Sequence, residues 1–430
     1  MTGLSLGLDL GTSGIRSAVL DADGALLSTA RAAYPANSSS RIDAEDWWRG
    51  ARTCLEVQIA ALAEMGIAPS EIRRIGVDGT SGSMVLTDAA LAPVSQGLLY
   101  NSAGFEAEAQ QIAAVAPDPH ITRGANSALA RALALRAEER DGRARHLLHQ
   151  ADFVAAKLMG QGGYSDHNNA LKTGFDPDLG AWPDWLCNLF DGGAILPEAL
   201  SAGAPAAPVS PDIARSLGLS PETMVHMGTT DSIAAFLASA PLEIGAAVTS
   251  LGTTLAVKML SERRIDAPEI GLYSHRLGAG WLVGGASNSG GGVLRQFFSQ
   301  AEIEALSAQI DPTVETDLDY YPLPKPGERF PINDPAFPPR LAPRPHNDAD
   351  FLHGLFDGIA RIEARCYAEI GSRGAPPVAA LYTAGGGAKN TTWTAIRTRI
   401  LQMPIKTADH TEACVGTARL IAAYAEREHR

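Results

Sequence analysis

Residues 4–20 read LSLGLDLGTSGIRSAVL, in which two apolar stretches flank a short polar loop. Leu4 to Asp9 predicts a buried strand, the loop begins at Gly11, and Ile15 to Leu20 predicts a second strand. Turn residues and a third alternating stretch from Leu26 to Arg31 follow, so we predict three antiparallel strands at the start of the chain. A dinucleotide-binding unit requires a helix directly after its glycine loop. A strand follows the loop here, which excludes such a unit.

The same opening recurs in the second half of the chain. In the first copy, Asp46 to Glu64 predicts an amphipathic helix and Ile72 to Val77 a further strand. In the second copy, Ala246 to Leu251 and Leu255 to Leu260 predict two strands, again joined by a glycine and two hydroxyl residues. Repetition of a unit of this size indicates a duplicated domain.

Length and composition set the broad class of the protein. A chain of 430 residues is too long for one ordinary hydrophobic core. We therefore predict two α/β domains, one in residues 1–235 and the other in residues 236–430. The stretch from Tyr321 to Pro345 contains nine prolines and is expected to be a surface excursion or partly disordered.

Charge and cysteine content exclude several classes. The net charge of -13 argues against nucleic acid as a partner, because phosphate binding needs clustered Lys and Arg. The basic stretch Arg131 to Arg145 alternates with acidic residues and predicts a solvated helix face. The four cysteines show neither zinc-site nor disulfide spacing. No apolar stretch approaches the length of a membrane span and no leader pattern precedes Leu4, so we expect no membrane association and a cytoplasmic location.

Two loops carry residue types that bind phosphate groups. Gly11-Thr12-Ser13 and Gly252-Thr253-Thr254 each place one glycine beside two hydroxyl residues. A glycine lets backbone N–H groups approach a phosphate, and a hydroxyl donates a further hydrogen bond. Together the loops suit the phosphates of ATP, although each loop alone is equally compatible with an ordinary hairpin turn.

Asp9 lies just before the first loop, where a carboxylate suits Mg²⁺. Magnesium takes one or two carboxylates and fills its other positions with phosphate oxygens and waters. The alternative is a carboxylate that caps its own loop through backbone hydrogen bonds.

A glycine-rich turn near the C-terminus predicts a nucleoside site. Val378 to Leu381 predicts a strand, Thr392 to Leu401 predicts a helix, and residues 383–390 between them read TAGGGAKN. Consecutive glycines let a flat nucleoside lie against the backbone, and the helix N-terminus adds a favourable dipole. The predicted nucleotide-binding residues of this turn are Gly386, Gly387, Lys389 and Asn390.

Four motifs occur in the order seen in the FGGY carbohydrate kinases, and the sequence resembles that family over nearly its whole length. The motifs are Asp9 to Ser13, Thr229 to Ser232, Gly252 to Thr254 and Gly385 to Asn390. The resemblance implies two duplicated ribonuclease H-like domains of the actin, Hsp70 and hexokinase superfamily with a cleft between them, and an enzyme that uses ATP and Mg²⁺. The segment Ser165 to Gly174 is further similar to the short ribulose and xylulose kinase-like branch.

The resemblance assigns Asp231 as the general base that takes the proton from the sugar hydroxyl as it attacks the γ-phosphate. It also implies that Asp231 contacts the sugar and, with Asp9, the metal. On the residues alone, Asp231 opens the helical stretch Ser232 to Leu237, so a helix N-cap is the alternative role, and the two roles are compatible.

The sugar is expected at the polar loop after the strand Ile72 to Val77. Asp78 and Ser81, with Asn101 from a second loop, are the predicted ligands, because carboxylate, hydroxyl and amide groups bind polyols. Turn formation is the alternative for each of them. Many xylulose kinases carry Met-His-Gly and Trp-Asn-Asp at these two places, whereas residues 79–81 here are Gly-Thr-Ser and residues 100–102 are Tyr-Asn-Ser.

The expected reaction is ATP-dependent phosphorylation of a terminal hydroxyl of a small ketose. D-ribulose comes first, with D-xylulose, L-ribulose or another polyol as alternatives. An ATP-driven protein-binding machine of the Hsp70 type shares the duplicated fold, but the sequence ends soon after the nucleotide motif and we expect no separate peptide-binding domain. A sugar sensor without turnover is the other alternative, and the presence of Asp9 and Asp231 argues against it. The expected partners are a sugar and ATP, and a homodimer is one alternative for the assembly.

Overall fold

The computed structural model describes residues 3–34 and 39–428, which form two compact units. The first unit comprises residues up to Ala238 together with the C-terminal segment from Glu412, and the second comprises Ser239–Thr411. The predicted division at residue 235 differs from this arrangement mainly at the C-terminus. In the structure the segment from Glu412 packs with the first unit, whereas the predicted division places it in the second domain.

The first unit is a mixed α/β structure. Its strands are β1 (Leu4–Leu10), β2 (Gly14–Leu20), β3 (Leu26–Ala33), β4 (Arg41–Ile42), β5 (Ile72–Gly79), β6 (Met84–Thr87), β7 (Gly97–Leu98), β8 (His146–His149), β9 (Tyr164–Asp166), β10 (Glu198–Leu200), β11 (Pro205–Pro208) and β12 (Met224–Thr230). Its helices are α1 (Glu45–Glu64), α2 (Glu106–Val115), α3 (Ala128–Glu138), α4 (Gln150–Met159), α5 (His167–Thr173), α6 (Asp184–Cys187), α7 (Pro211–Leu217), α8 (Asp231–Ser239) and, from the C-terminal segment, α13 (Ala413–Glu428).

Six strands of the first unit form one sheet in the order β11-β12-β5-β1-β2-β3. The strands β1, β2 and β3 are antiparallel neighbours, whereas β5 runs parallel to β1, and β12 runs parallel to β5. All residues of β1 are buried, because it lies in the middle of the sheet. Its leucines at positions 4, 6, 8 and 10 lie in the main core cluster of the first unit, whereas Ser5, Gly7 and Asp9 alternate with them on the opposite face of the sheet.

Helix α13 packs closely on the sheet because glycines leave room for it. A Cβ atom on Gly7 of β1 would lie 2.0 Å from the carbonyl oxygen of Cys414, and one on Gly76 of β5 would lie 2.8 Å from the side chain of Ile421. Cys414, with Ala418 beside it, belongs to a small core cluster of the first unit. These contacts are the physical reason why the C-terminal segment joins the first unit.

The second unit has its own sheet and helices. Its strands are β13 (Ala246–Leu251), β14 (Leu255–Ser261), β15 (Tyr273–Leu277), β16 (Gly280–Ser287), β17 (Ala380–Ala384) and β18 (Ile405–Thr407), and its helices are α9 (Gly291–Leu294), α10 (Gln300–Ser307), α11 (Asp348–Ser372) and α12 (Thr391–Leu401). Short 3-10 turns occupy Pro69–Glu71 and Asn188–Phe190 of the first unit and Pro268–Ile270 and Gly386–Lys389 of the second.

Five strands of each large sheet share one topology, and the sixth strand is added at a different edge of each sheet. The second sheet has the order β15-β16-β14-β13-β17-β18, in which β13, β14 and β16 are antiparallel and β17 runs parallel to β13. The long helix α11 precedes β17, as α1 precedes β5 in the first unit. The prediction of a duplicated α/β fold is confirmed.

The Pro-rich stretch packs onto the second unit. The Glu328 carboxylate accepts hydrogen bonds from the hydroxyls of Ser287 and Tyr321, at 2.6 and 2.9 Å, and from the backbone N–H of Asn288 at 2.7 Å. The backbone N–H of Arg329 is a fourth donor, at 2.8 Å. Phe330 is fully buried. A buried carboxylate with four donors and a buried aromatic ring fasten the segment to the end of β16. Within the described residues, no helix has both the length and the apolar character needed to cross a membrane.

Candidate active site

Three carboxylates gather at one edge of the first sheet. Asp9 of β1 and Asp78 of β5 are paired Cα partners, so neighbouring parallel strands place them side by side. Asp231 opens α8 directly after Thr230, which is the last residue of β12 and the partner of Gly79. The carboxyl ends of parallel strands therefore bring together residues that are far apart in the sequence.

The pKa values of Asp9 and Asp78 are both raised. Burial, with repulsion from Asp231, raises the pKa of Asp9 from 3.8 to about 6, while hydrogen bonding to Asp78 and the Arg16 guanidinium oppose the shift. Complete burial and the nearby charge of Asp9 raise the pKa of Asp78 well above its ordinary value. The pair Asp9–Asp78 therefore favours a state that holds at least one proton.

Asp78 is a neighbour of the metal-binding candidate Asp9 rather than an open sugar ligand. Its side chain has no solvent exposure, and its Oδ2 atom accepts a hydrogen bond of 2.5 Å from the hydroxyl of Thr417 on α13. A carboxylate enclosed in this way has no surface left for a sugar hydroxyl. The prediction of Asp78 as a sugar ligand is therefore corrected, since the C-terminal helix covers it.

Asparagine at position 78 should stabilise the protein at alkaline pH. Because the pKa of Asp78 is raised in the folded state, the folded protein keeps a proton that the unfolded chain releases. The contribution of Asp78 to stability is therefore fully present below pH 3.8, the pKa of an ordinary aspartate, and is lost as the pH rises through the pKa of Asp78 in the folded state. The amide still accepts from Thr417. We expect Asp78→Asn to raise the free energy of unfolding at pH 8 by about 1 kcal/mol or more, with the gain vanishing towards pH 4.

Urea denaturation at several pH values measures this effect. Asp23→Asn, in an exposed turn, is the matched control and should change nothing at either pH. A variant at position 78 that is less stable than the wild type at pH 8 would contradict the expectation.

The loop from Gly11 to Ser13 follows Asp9 and is flanked by a cation. Arg16 of β2 is the Cα partner of Asp9; its Nη1 atom lies 3.4 Å from the Asp9 carboxylate and its Nε atom lies 3.1 Å from Glu412. Sequence reasoning missed Arg16. The antiparallel register about the loop would have identified it, because residues equally distant from a tight turn face one another.

A pocket of the first unit lies beside this loop. The Trp47 pocket has about 510 Å³ of empty space, including its open mouth, and is lined by Gly11, Thr12, Tyr34, Ser39, Ile42, Asp46, Trp47, Thr80, Leu99, Tyr100 and Gln150. Gly11 and Thr12 are predicted site residues, although their predicted partner is ATP. Ser81 and Asn101 do not line this pocket, but their neighbours Thr80 and Tyr100 do.

Sequence reasoning missed Tyr34, Trp47 and Gln150 as pocket residues. Trp47 is an apolar position of the predicted helix, which indicates a core residue, and nothing in the sequence around Tyr34 or Gln150 indicates a ligand. Gln150 is the first residue of α4, and its Oε1 atom accepts from the backbone N–H of Thr80 at 3.0 Å. The pocket is thus assembled from elements that are distant in the sequence.

Arg131 supports one wall of this pocket. It is only 3% exposed, so the prediction of a solvated helix face is wrong at this position. Its Nε atom donates to the carbonyl of Gly82 at 2.9 Å and its Nη1 atom to the carbonyl of Asn126 at 3.0 Å. Burial lowers the pKa of Arg131 to about 10. The guanidinium ties the loop after β5, which carries Thr80, to helix α3.

The second unit has a larger pocket at the ends of β13 and β17. The Trp393 pocket has about 1090 Å³ of empty space, including its open mouth, and brings together the predicted residues Gly252, Thr253, Gly386, Gly387, Lys389 and Asn390. Thr254 does not line it. Gly385 makes the turn possible, because its φ of +84° favours glycine and a Cβ atom there would lie 2.6 Å from the Leu251 carbonyl oxygen.

Of the polar residues that line the Trp393 pocket, the predicted nucleotide ligand Asn390 has another role, and Arg295 was not predicted. Asn390 caps helix α12. Its Oδ1 atom accepts from the backbone N–H of Trp393 at 2.9 Å, and its Nδ2 atom donates to the hydroxyl of Ser307 at 2.8 Å. Its side chain is therefore engaged within the protein. Arg295, which sequence reasoning missed, lines the pocket and donates to the Thr253 hydroxyl at 2.9 Å. A guanidinium beside a glycine loop suits a phosphate group.

Comparison with known protein families shows which family the chain belongs to. The model of the N-terminal domain of the FGGY family of carbohydrate kinases matches residues 4–238, and the model of the C-terminal domain matches residues 247–426. The chain belongs to the FGGY family of carbohydrate kinases. The family predicted from the four motifs is confirmed, and so is the carbohydrate kinase class.

Relatives of this FGGY kinase phosphorylate different sugars, according to their names. A xylulose kinase of Staphylococcus epidermidis is 22% identical over 443 residues, which span 97% of this chain and 87% of the relative. A gluconokinase of Bacillus subtilis is 29% identical over 156 residues, which span 34% of this chain and 30% of that protein.

Solved structures confirm the fold of the FGGY kinase. A xyloylose kinase from Brucella ovis has a TM-score of 0.81 and 22% identity, with 99% of this chain and 90% of that chain covered. A ligand-bound xylulose kinase from Lactobacillus acidophilus has a TM-score of 0.82 and 16% identity, with coverage of 98% and 89%. A glycerol kinase from Plasmodium falciparum, solved with ADP, has a TM-score of 0.81 and 15% identity, with coverage of 99% and 90%.

Proposed function

We propose that this FGGY kinase transfers the γ-phosphoryl group of ATP to a terminal hydroxyl of a small uncharged ketose, with D-ribulose as the first candidate and D-xylulose as the alternative. The observation that carries the proposal is the lining of the Trp47 pocket, which contains no Lys or Arg. Residues 35–38, which lie between two lining residues in the sequence, contain no basic residue either.

The lining favours a neutral sugar over a sugar acid. Asp46 is the one charged side chain among the lining residues, and Arg49 contacts its carboxylate at 2.6 Å. An aldonate such as gluconate would bring a carboxylate into a pocket that offers it no cation, and an unpaired charge is costly to desolvate. Tyr34, Trp47 and Tyr100 instead offer rings to the C–H faces of a sugar. A neutral ketose therefore fits better than gluconate.

Asp231 is proposed as the general base. The sugar O–H gives its proton to the Asp231 carboxylate, the sugar oxygen forms a bond to the γ-phosphorus, and the bond from that phosphorus to the β–γ bridging oxygen breaks, releasing ADP. Asp9 and Asp231 together would hold Mg²⁺, which supplies charge neutralisation at the phosphates; two carboxylates beside a glycine loop fit the preferences of this ion.

The residues of the Trp393 pocket are proposed to hold the nucleotide. Gly252 and Thr253 lie at the phosphate end with Arg295, while Gly386 and Gly387 provide a surface free of side chains for the nucleoside. Lys389 adds a second cation to the pocket. Asn390 acts through its cap, which fixes the start of α12.

Measuring ATP consumption with a set of candidate substrates tests the proposal directly. ATP consumption is measured with D-ribulose, D-xylulose, L-ribulose, glycerol and gluconate, beside a reaction without sugar. We expect sugar-dependent turnover with a pentulose and a kcat/KM for gluconate at least about a hundredfold lower, because loss of a charge pair in a desolvated site costs about 3 kcal/mol. Turnover of gluconate at the pentulose level, or turnover independent of sugar, would refute the proposal.

A further inference from the structure

Five residues at the Trp47 pocket form a continuous hydrogen-bond network, which we call the Tyr34 network. It runs from the backbone N–H of Tyr100 to the hydroxyl of Ser83 at 2.9 Å, and from there to the hydroxyl of Thr80 at 2.6 Å. The Thr80 hydroxyl contacts Oε1 of Gln150 at 2.6 Å, and Nε2 of Gln150 contacts the hydroxyl of Tyr34 at 3.3 Å. Tyr34, Thr80, Tyr100 and Gln150 all line the pocket.

The orientation of the Gln150 amide follows from its partners. The backbone N–H of Thr80 lies 3.0 Å from one amide atom of Gln150, and a backbone N–H only donates. The amide atom that faces Thr80 is therefore the oxygen. The amide nitrogen then faces Tyr34, and it acts as the donor in that contact because an amide nitrogen does not accept.

The proton positions on the two hydroxyls are fixed by the same reasoning. The Gln150 oxygen carries no proton, so the proton in its 2.6 Å contact with Thr80 belongs to Thr80. The Thr80 oxygen then accepts from Ser83, whose oxygen in turn accepts from the N–H of Tyr100. Every hydroxyl proton of the network is thus assigned except that of Tyr34.

Tyr34 is left as a donor at the pocket. Its oxygen accepts from Gln150, and within residues 3–34 and 39–428 its hydroxyl proton meets no acceptor. Burial and the nearby carboxylate of Asp9 raise the pKa of the Tyr34 phenol, so it keeps its proton in the physiological range. A half-buried hydroxyl with an unused proton is completed by a ligand that accepts.

We propose that Tyr34 donates its hydroxyl proton to the carbonyl oxygen of the bound ketose and thereby selects a ketose over the corresponding alditol. The inference rests on the proposed function, since it assigns the substrate class of the same pocket. A carbonyl oxygen only accepts, which matches a tyrosine that only has a proton to give. An alditol hydroxyl in the same place also accepts the Tyr34 proton, but its own proton then needs a further acceptor, and the Tyr34 oxygen already accepts from Gln150.

Tyr34→Phe tests the inference with D-ribulose and its alditol, ribitol, as probes. We expect kcat/KM for D-ribulose to fall by about tenfold to a hundredfold, while that for ribitol changes by less than about threefold. Isothermal titration with D-ribulose should show the same loss in affinity. Tyr273→Phe, at the exposed first position of strand β15 in the second unit, is the matched control and should leave both substrates unaffected.

Gln150→Glu is a second, independent test of Tyr34 as a hydrogen-bond donor to the sugar. A carboxylate accepts the Tyr34 proton and frees lone pairs of the Tyr34 oxygen, so the site turns from a donor into an acceptor. We expect the preference for D-ribulose over ribitol to fall by at least about tenfold, and thermal unfolding reports whether either variant is folded.

The outcomes separate this inference from the proposed function. A wild-type enzyme that phosphorylates no ketose overturns both. A wild-type enzyme that phosphorylates D-ribulose, with a ketose-to-alditol ratio that stays the same in Tyr34→Phe or, should that variant not fold, in Gln150→Glu, overturns the role of Tyr34 alone. A ratio that collapses in the folded variants supports it.

Discussion

Replacing Asp231 with asparagine is expected to lower kcat by about 10²–10⁴-fold, the contribution typical of a positioned general base. Asparagine has almost the shape of aspartate and is an equally good helix N-cap, so helix α8 should keep its start at residue 231. It cannot take the proton of the attacking hydroxyl. The variant therefore separates the two roles that the residue types alone leave open.

The measurement is steady-state turnover with the best pentulose, together with titration of the sugar and the nucleotide. The KM for the sugar should change far less than kcat, since the base acts mainly in the transition state. Asp212→Asn, at an exposed position of α7, is the matched control within the same unit. A kcat within about threefold of the wild type would remove Asp231 from the proposed mechanism.

Breaking the buried ion pair of the second unit is expected to cost about 3–5 kcal/mol. Arg397 and Glu363 have no solvent exposure and form two hydrogen bonds of 2.6 and 2.7 Å. Thr249 of β13 donates to Glu363 at 2.6 Å, and Arg397 donates to Thr383 of β17 at 2.8 Å. Arg397→Met would leave the Glu363 charge buried without its partner.

The consequence should reach the nucleotide site as well as stability. The pair joins β13 and β17, and these strands lead into the loops at Gly252 and Gly385 that form the Trp393 pocket. We expect weaker nucleotide binding together with a lower resistance to urea, and faster hydrogen exchange in these two strands. Sugar binding to the first unit should persist.

Two controls define this expectation. Arg340→Met removes a solvent-exposed ion pair with Asp319 and should cost less than about 1 kcal/mol. The double variant Glu363→Leu with Arg397→Met should recover much of the loss, because an apolar pair replaces the unpaired charge. A loss below about 1 kcal/mol for Arg397→Met alone would contradict the role of the pair.

The fold could be predicted largely from local patterns. Strand β1 (Leu4–Leu10), the turn at Gly11 and helix α1 (Glu45–Glu64) lie within two residues of the predicted bounds, because apolar periodicity and turn residues are local signals. The position of α13 could not be predicted in this way. Its packing on the first unit depends on residues distant in the sequence, such as the glycines Gly7 and Gly76 and the Asp78 carboxylate that accepts from Thr417.

The site could be predicted in part. The motif residues Gly252, Thr253, Gly386 and Gly387 do meet in one pocket, and Asp9 and Asp231 lie at the ends of β1 and β12, the two strands on either side of β5. Tyr34, Gln150 and Arg295 could not be found from their surroundings in the sequence. Each belongs to a common residue type without motif spacing, and each reaches its pocket through the packing of separate elements.

The sequence by itself determined the order of strands, the duplication and the carboxylates and glycine loops that follow particular strands, since these depend on neighbours along the chain. Only the tertiary structure decided that Asp78 is enclosed by Thr417, that Arg131 is buried, and that the Gln150 amide turns its nitrogen towards Tyr34. The physical reason is that burial and hydrogen-bond partners come from residues far away in the sequence, and these set both the cost of a charge and the direction in which each proton points.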